Sequence, residues 1–124
     1  MDISALTEDV EAVSAHYANP HAITRTDHWF VLKLNEEVGE LTQAYLAYNG
    51  QARDKGKSEQ QLRTDLEHEL ADVLVQTLLI AKRSDVDVAR AVDEKWMVWY
   101  PDREETTSSP TGSPRGSRSI KRSE

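Results

Sequence analysis

Apolar residues recur every three or four positions along most of the chain. No run alternates apolar and polar residues as a half-buried strand does. Leu6, Val10 and Val13 mark a first helix from Ser4 to about Tyr17, which Asn19-Pro20 ends. Leu34, Val38, Leu41, Tyr45 and Tyr48 line one face of a second helix, from about Thr26 to Tyr48, with Asn49-Gly50 as its stop. The polar stretch GQARDKGK leads to a third helix, opened by the capping-box pair Ser58 and Gln61 and running to about Arg83. There Leu62, Leu66, Val73 and Ile80 share a face, with Leu70, Leu74 and Leu78 beside them. Ser84 to Asp87 offer caps for a fourth helix that ends before Pro101. The pattern predicts an all-α fold, an antiparallel bundle of about four helices. Broad apolar faces on so short a chain predict completion by oligomerisation, as a homodimer or a dimer of dimers.

The helical pattern stops after Arg103. Residues 104–124, EETTSSPTGSPRGSRSIKRSE, hold one large aliphatic residue, Ile120, and no aromatic. Such a segment cannot bury enough apolar surface to offset its ordering entropy. It predicts a disordered Ser/Pro/Arg-rich tail behind a single domain of residues 1–103. The tail's four bases, Arg115, Arg118, Lys121 and Arg122, leave open a weak contact with nucleic acid or a partner.

Charge and composition narrow the function classes. The 124 residues include 22 acids and 15 bases, a net charge of -7. An acidic body argues against stable duplex nucleic-acid binding. Without cysteine there are no disulfides, thiolate metal sites or cysteine nucleophiles. Four histidines are too few for a histidine-rich zinc site. No apolar run approaches a membrane span, and MDISALTEDVEAV has no basic start before an apolar stretch. These features predict a cytoplasmic protein with no membrane partner.

Two acidic clusters carry the candidate chemistry. On the second helix, Glu37 and Glu40 lie roughly 60° apart around the axis, on a ledge bordering the apolar seam. Glu36 points farther from the core. On the third helix, Glu69 and Asp72 repeat the three-residue spacing, and Glu69 sits on the line of Leu62, Leu66 and Val73, where a core side chain is expected. An ionised carboxylate there is costly unless paired or metal-bound. Oxygen-only ligands favour Mg2+, with Mn2+ as a substitute, over zinc. Glu36, Asp65 and Glu67 read instead as solvated acids with lysine or arginine partners. A carboxylate-bridged di-iron site needs Glu-x-x-His on two helices, and Asp65-x-x-His68 is the one approach to it. His68 points away from the Glu69–Asp72 ledge and reads as a surface residue. His16 and His21 carry no ligand role.

Lys33-Leu34-Asn35-Glu36-Glu37-Val38-Gly39-Glu40-Leu41, followed by His68-Glu69-Leu70-Ala71-Asp72-Val73-Leu74, resembles the MazG family of all-α nucleotide pyrophosphohydrolases over about residues 28–101. Its motif is E-E-x-x-E, a variable gap, then E-x-x-D. The resemblance implies that Glu37, Glu40, Glu69 and Asp72 bind Mg2+, which grips a triphosphate. It implies that Glu36 either supports the metal ligands from behind or helps to activate water, the catalytic role. The implied reaction splits a nucleoside triphosphate between its α- and β-phosphates into monophosphate and pyrophosphate. The fourth helix departs from the family pattern: Lys95 fits a phosphate contact, but Trp96-Met97-Val98-Trp99-Tyr100 stand where arginines are expected. Arg103, Arg90 or a partner subunit are the candidates to replace them. Lys33 is either a second substrate-binding cation or a salt-bridge partner of Glu37. Trp29, near the start of the second helix, is the candidate for base contact. Trp96 and Trp99 read as core or dimer interface. Two other readings keep this scaffold: an enzyme acting on phosphoribosyl-ATP, and a nucleotide-sensing or protein-binding module without turnover.

Overall fold

The computed structural model describes residues 2–101. The expected tail, and Arg103 as a phosphate contact, lie outside the described residues. The chain is all-α, with four helices and no strand among the described residues. It divides into two compact units, one ending at Asp87 and the other beginning at Val88.

The first unit holds α1 (Ile3–Ala18), α2 (Asp27–Tyr48) and α3 (Glu59–Arg83). Local capping chemistry sets their ends. The Asp2 carboxylate accepts from the Ala5 N–H at 2.6 Å and Thr26 Oγ1 from the Trp29 N–H at 3.1 Å. Ser58 and Gln61 close the expected capping box in both directions, at 3.1 and 2.8 Å. Gly50, at φ 76°, supplies the left-handed residue after α2.

α2 and α3 run antiparallel. Arg83 at the end of α3 pairs with Asp27 at the start of α2, and Arg63 near the start of α3 donates to the Tyr48 hydroxyl at the end of α2. α1 packs on α3, with Lys82 bound to Glu8 at 2.7 Å. The core gathers at the junction of all three helices: Ala18, Phe30, Leu78, Leu79 and Ala81 are buried. Phe30, 3% exposed, lies between the guanidinium groups of Arg25 and Arg83, 5.4 and 5.1 Å from its ring centroid. Arg25 also grips Glu11 with two hydrogen bonds, at 3.1 and 2.7 Å.

Farther along the α2–α3 pair the apolar faces outnumber their partners. Leu34, Leu41, Leu62, Leu66 and Val73 are half-buried, whereas Val38, Tyr45, Leu70 and Leu74 are exposed in the single chain.

The second unit corrects the expected fourth helix. α4 covers only Val88–Lys95, and a 3-10 turn follows at Met97–Trp99. Pro101 holds Tyr100 in an extended conformation (φ -68°, ψ 117°), because a residue before proline avoids the helical region. The backbone tightens before it, with Trp99 N–H donating to the Trp96 carbonyl and Tyr100 N–H to the Met97 carbonyl, both at 3.1 Å. Trp96 and Trp99 are exposed, so the core half of their expected role is not met within the chain.

Candidate metal centre and phosphate cavity

The antiparallel pairing of α2 and α3 brings the two acidic clusters together. Glu37, Glu40 and Glu69 each offer one carboxylate oxygen, and these lie within 4.8 Å of one another. Asp72 is exposed and stands outside that tight group, yet its charge is among the main influences on Glu37.

Glu37 is only 12% exposed, and its Oε1 is buried without a hydrogen-bond partner among the described residues. Burial, then the charges of Asp72 and Glu40, push its carboxyl up to about 7 from an ordinary 4.5. Glu69 Oε1 is likewise buried and unpartnered, and burial followed by the charge of Glu40 raises its carboxyl as well. An orphaned anionic oxygen is costly in a folded protein. Two of them, on two carboxylates of one cluster of hard oxygen donors, fit a divalent cation such as Mg2+ or Mn2+. Among the described residues this donor set contains no sulfur or imidazole.

The neighbours of the cluster separate into distinct roles. Lys33 contacts both members of the pair beside it, Glu36 at 3.2 Å and Glu37 at 3.9 Å. Its hydrogen bond to Glu36 is the main reason its ammonium is held above the usual lysine range. Glu36 is 54% exposed, outside the cluster and facing solvent. Asp65 pairs with Lys57 at 2.5 Å and Glu67 with Arg63 at 3.3 Å, as expected for solvated acids. His68 is exposed, and His21 places Nδ1 against the Tyr17 carbonyl at 2.8 Å.

Trp29 is half-buried and packs edge-on against Phe30, with ring centroids 4.9 Å apart. It lies ~16 Å from Glu40 along the axis of α2 at the usual helical rise. Lys95 ends α4 in the second unit.

A cavity of about 390 Å³ opens beside the carboxylates. Glu40 and Glu69 line it, and so do Arg53, Lys55 and Lys57 from the α2–α3 connection. Sequence reasoning treated that connection as a polar spacer and missed these cations. The available signal was a cluster of three bases within five residues of an otherwise acidic body.

The family model for the MazG nucleotide pyrophosphohydrolase domain matches residues 25–97. The chain belongs to the MazG family. The match spans α2, α3 and α4, including every carboxylate of the cluster. Membership supports nucleotide pyrophosphohydrolase activity in general terms, and the acidic cluster agrees with the metal dependence typical of MazG proteins. Comparisons with curated proteins and with solved structures gave no match. No helix among the described residues is long and apolar enough to cross a membrane.

Proposed function

We propose that this MazG chain is a Mg2+-dependent nucleoside triphosphate pyrophosphohydrolase, releasing a nucleoside monophosphate and pyrophosphate. The observation that carries this reading is the pair of buried, unpartnered oxygens on Glu37 and Glu69, with Glu40 within 4.8 Å. Glu37, Glu40, Glu69 and Asp72 would hold the cation. When bound, it would neutralise phosphate charge and lower the pKa of coordinated water. Glu36, exposed and hydrogen-bonded to Lys33, is the group to take a proton from the attacking water. Lys33, 3.2 Å from Glu36, and Lys95 are each proposed as substrate-binding cations. Trp29 offers an indole for base contact.

The open apolar face of Val38, Tyr45, Leu70 and Leu74 supports a further part of the reading, a homodimer or dimer of dimers.

A pyrophosphate-release screen over ribo- and deoxynucleoside triphosphates, with and without Mg2+, tests the activity. At least one nucleotide should be hydrolysed in a metal-dependent way. Glu40→Gln and Asp72→Asn should each abolish release while circular dichroism stays unchanged. Full activity in either variant would remove that residue from the metal site. Tight Mg2+-dependent nucleotide binding without turnover would favour a sensor instead.

A further inference from the structure

We infer that Arg53 and Lys55, on the α2–α3 connection, bind the polyphosphate of the nucleotide and stand in for the arginines that the fourth helix lacks. The inference deepens the pyrophosphohydrolase reading and rests on it.

The cavity supplies the geometry. Glu40 and Glu69 of the proposed metal centre line it together with Arg53, Lys55 and Lys57 and the acids Asp54 and Asp65. Along α2 its wall runs from Glu40 through Ala44 to Ala47, about 10 Å of helix axis. A polyphosphate whose metal-bound end sits at the carboxylates therefore extends toward the cations.

The three bases are not equivalent. Lys57 is committed to Asp65 at 2.5 Å. Arg53 and Lys55 have no ion pair or hydrogen-bonded side-chain partner among the described residues. Of the nearby acids, Asp54 also lines the cavity and is exposed, its Oδ1 accepting from the Gly56 N–H at 2.9 Å.

The backbone holds Lys55 in place at a conformational cost. Lys57 N–H donates to the Asp54 carbonyl at 3.0 Å across Lys55 and Gly56, both with positive φ (56° and 79°). This is the pattern of a type I′ turn, whose first central position prefers Asn, Asp or Gly. Lysine there pays a local penalty that a turn-forming residue would avoid. A cation kept at a position better suited to Asn is explained if its charge is used.

The test uses the full chain and the double variant R53Q/K55N, with R63Q/K82Q as a control that removes two bases away from the cavity. Binding of inorganic pyrophosphate in the presence of Mg2+ is measured by calorimetry, and hydrolysis separately by steady-state kinetics. Charge-assisted contacts predict a loss of pyrophosphate affinity of about tenfold per cation. KM should rise in parallel while kcat stays within a few-fold. Melting temperature should not fall, since K55N suits the turn. The control should bind as the wild type does.

Equal pyrophosphate affinity in R53Q/K55N and the wild type would overturn the inference, as would absence of any Mg2+-dependent pyrophosphate binding by the wild type. If the wild type binds pyrophosphate, the variant loses it and no nucleotide is turned over, the loop assignment stands and the hydrolase reading fails.

Discussion

Replacing Glu37 by Gln should stabilise the metal-free protein at alkaline pH. In the folded chain the carboxyl is raised to about 7, against 4.5 ordinarily, chiefly by burial and then by Asp72 and Glu40. Between those values the folded state holds a proton that the unfolded state has released. Stability therefore falls as pH rises through that window, and the full penalty is present above about pH 7. At 1.36 kcal/mol per pKa unit, the penalty is about 3 kcal/mol. Glutamine keeps the shape and carries no charge, so it removes that term. It also loses the 3.9 Å contact with Lys33, a small offset for a partly exposed pair. The net expectation is a gain of about 2 kcal/mol at pH 8 and almost none at pH 4.5. Urea denaturation of both proteins in chelator, at pH 5 and pH 8, reads this as a shift in midpoint at constant slope. Mg2+ should then reverse the order. At about 100 times its Kd it would stabilise the wild type by about 2.7 kcal/mol and E37Q by much less. A variant that is less stable than the wild type at pH 8 in chelator would refute the reasoning, and so would a difference that does not vary with pH.

Three further outcomes follow from other parts of the fold. Phe30→Ala removes the ring on which α1, α2 and α3 converge and should cost about 3–5 kcal/mol in urea denaturation; a cost below about 1 kcal/mol would displace Phe30 from the core. Arg25→Gln should lower stability by about 1–2 kcal/mol at pH 7, because its guanidinium is hydrogen-bonded to Glu11 through two nitrogens. That bond holds the Glu11 carboxyl below its usual range, so the stabilisation exists above the unfolded value of 4.5 and fades as pH falls through the lowered folded value. The difference between Arg25→Gln and wild type should accordingly shrink in acid, and one that grows there would contradict the pairing. Gly39→Ala should raise stability by about 0.5–1 kcal/mol, since an added Cβ meets nothing within 4 Å in the single chain. A loss instead, read by thermal melting and sedimentation, would mean that another copy occupies that space.

Helix ends were legible because their causes are local. Asp2, Thr26 and Ser58 cap with their own side chains, and Asn49-Gly50 stops α2 within one turn. The carboxylate cluster was legible for a related reason: a three-residue spacing beside an apolar seam fixes a helix face, and two such faces need only an antiparallel pair to meet. Glu69 announced itself by occupying a core line. The short α4 was harder: Pro101 marks a stop in the sequence, but the apolar spacing does not show that the helix ends at Lys95 and gives way to a 3-10 turn at Met97–Trp99. Arg53 and Lys55 were harder still. Their significance depends on where a connection lies relative to the ends of two helices, which is a tertiary fact.

Local rules are broken at several places in the first unit, where Ala22 and Asp85 are also left-handed and Gln76 Oε1 is also buried without a partner among the described residues. Two of the departures concern the carboxylate cluster and the cavity beside it. Glu37 and Glu69 each bury an oxygen without a partner, and Lys55 occupies a left-handed position that does not suit it. Each departure raises the free energy of the empty protein, and neither helps α1, α2 and α3 to pack. Their opposite charges make a common explanation possible. A cation at the carboxylates would satisfy the orphaned oxygens, and an anion bound to that cation would reach the free bases. Neither end alone accounts for the other: carboxylates without metal repel a phosphate, and two exposed bases without a metal have no anchor nearby. If the loop bases serve the same ligand as the metal, the affinity lost in R53Q/K55N should be large with Mg2+ present and almost nil in chelator. If they act independently, the loss should be equal in both, and the two departures would need separate explanations.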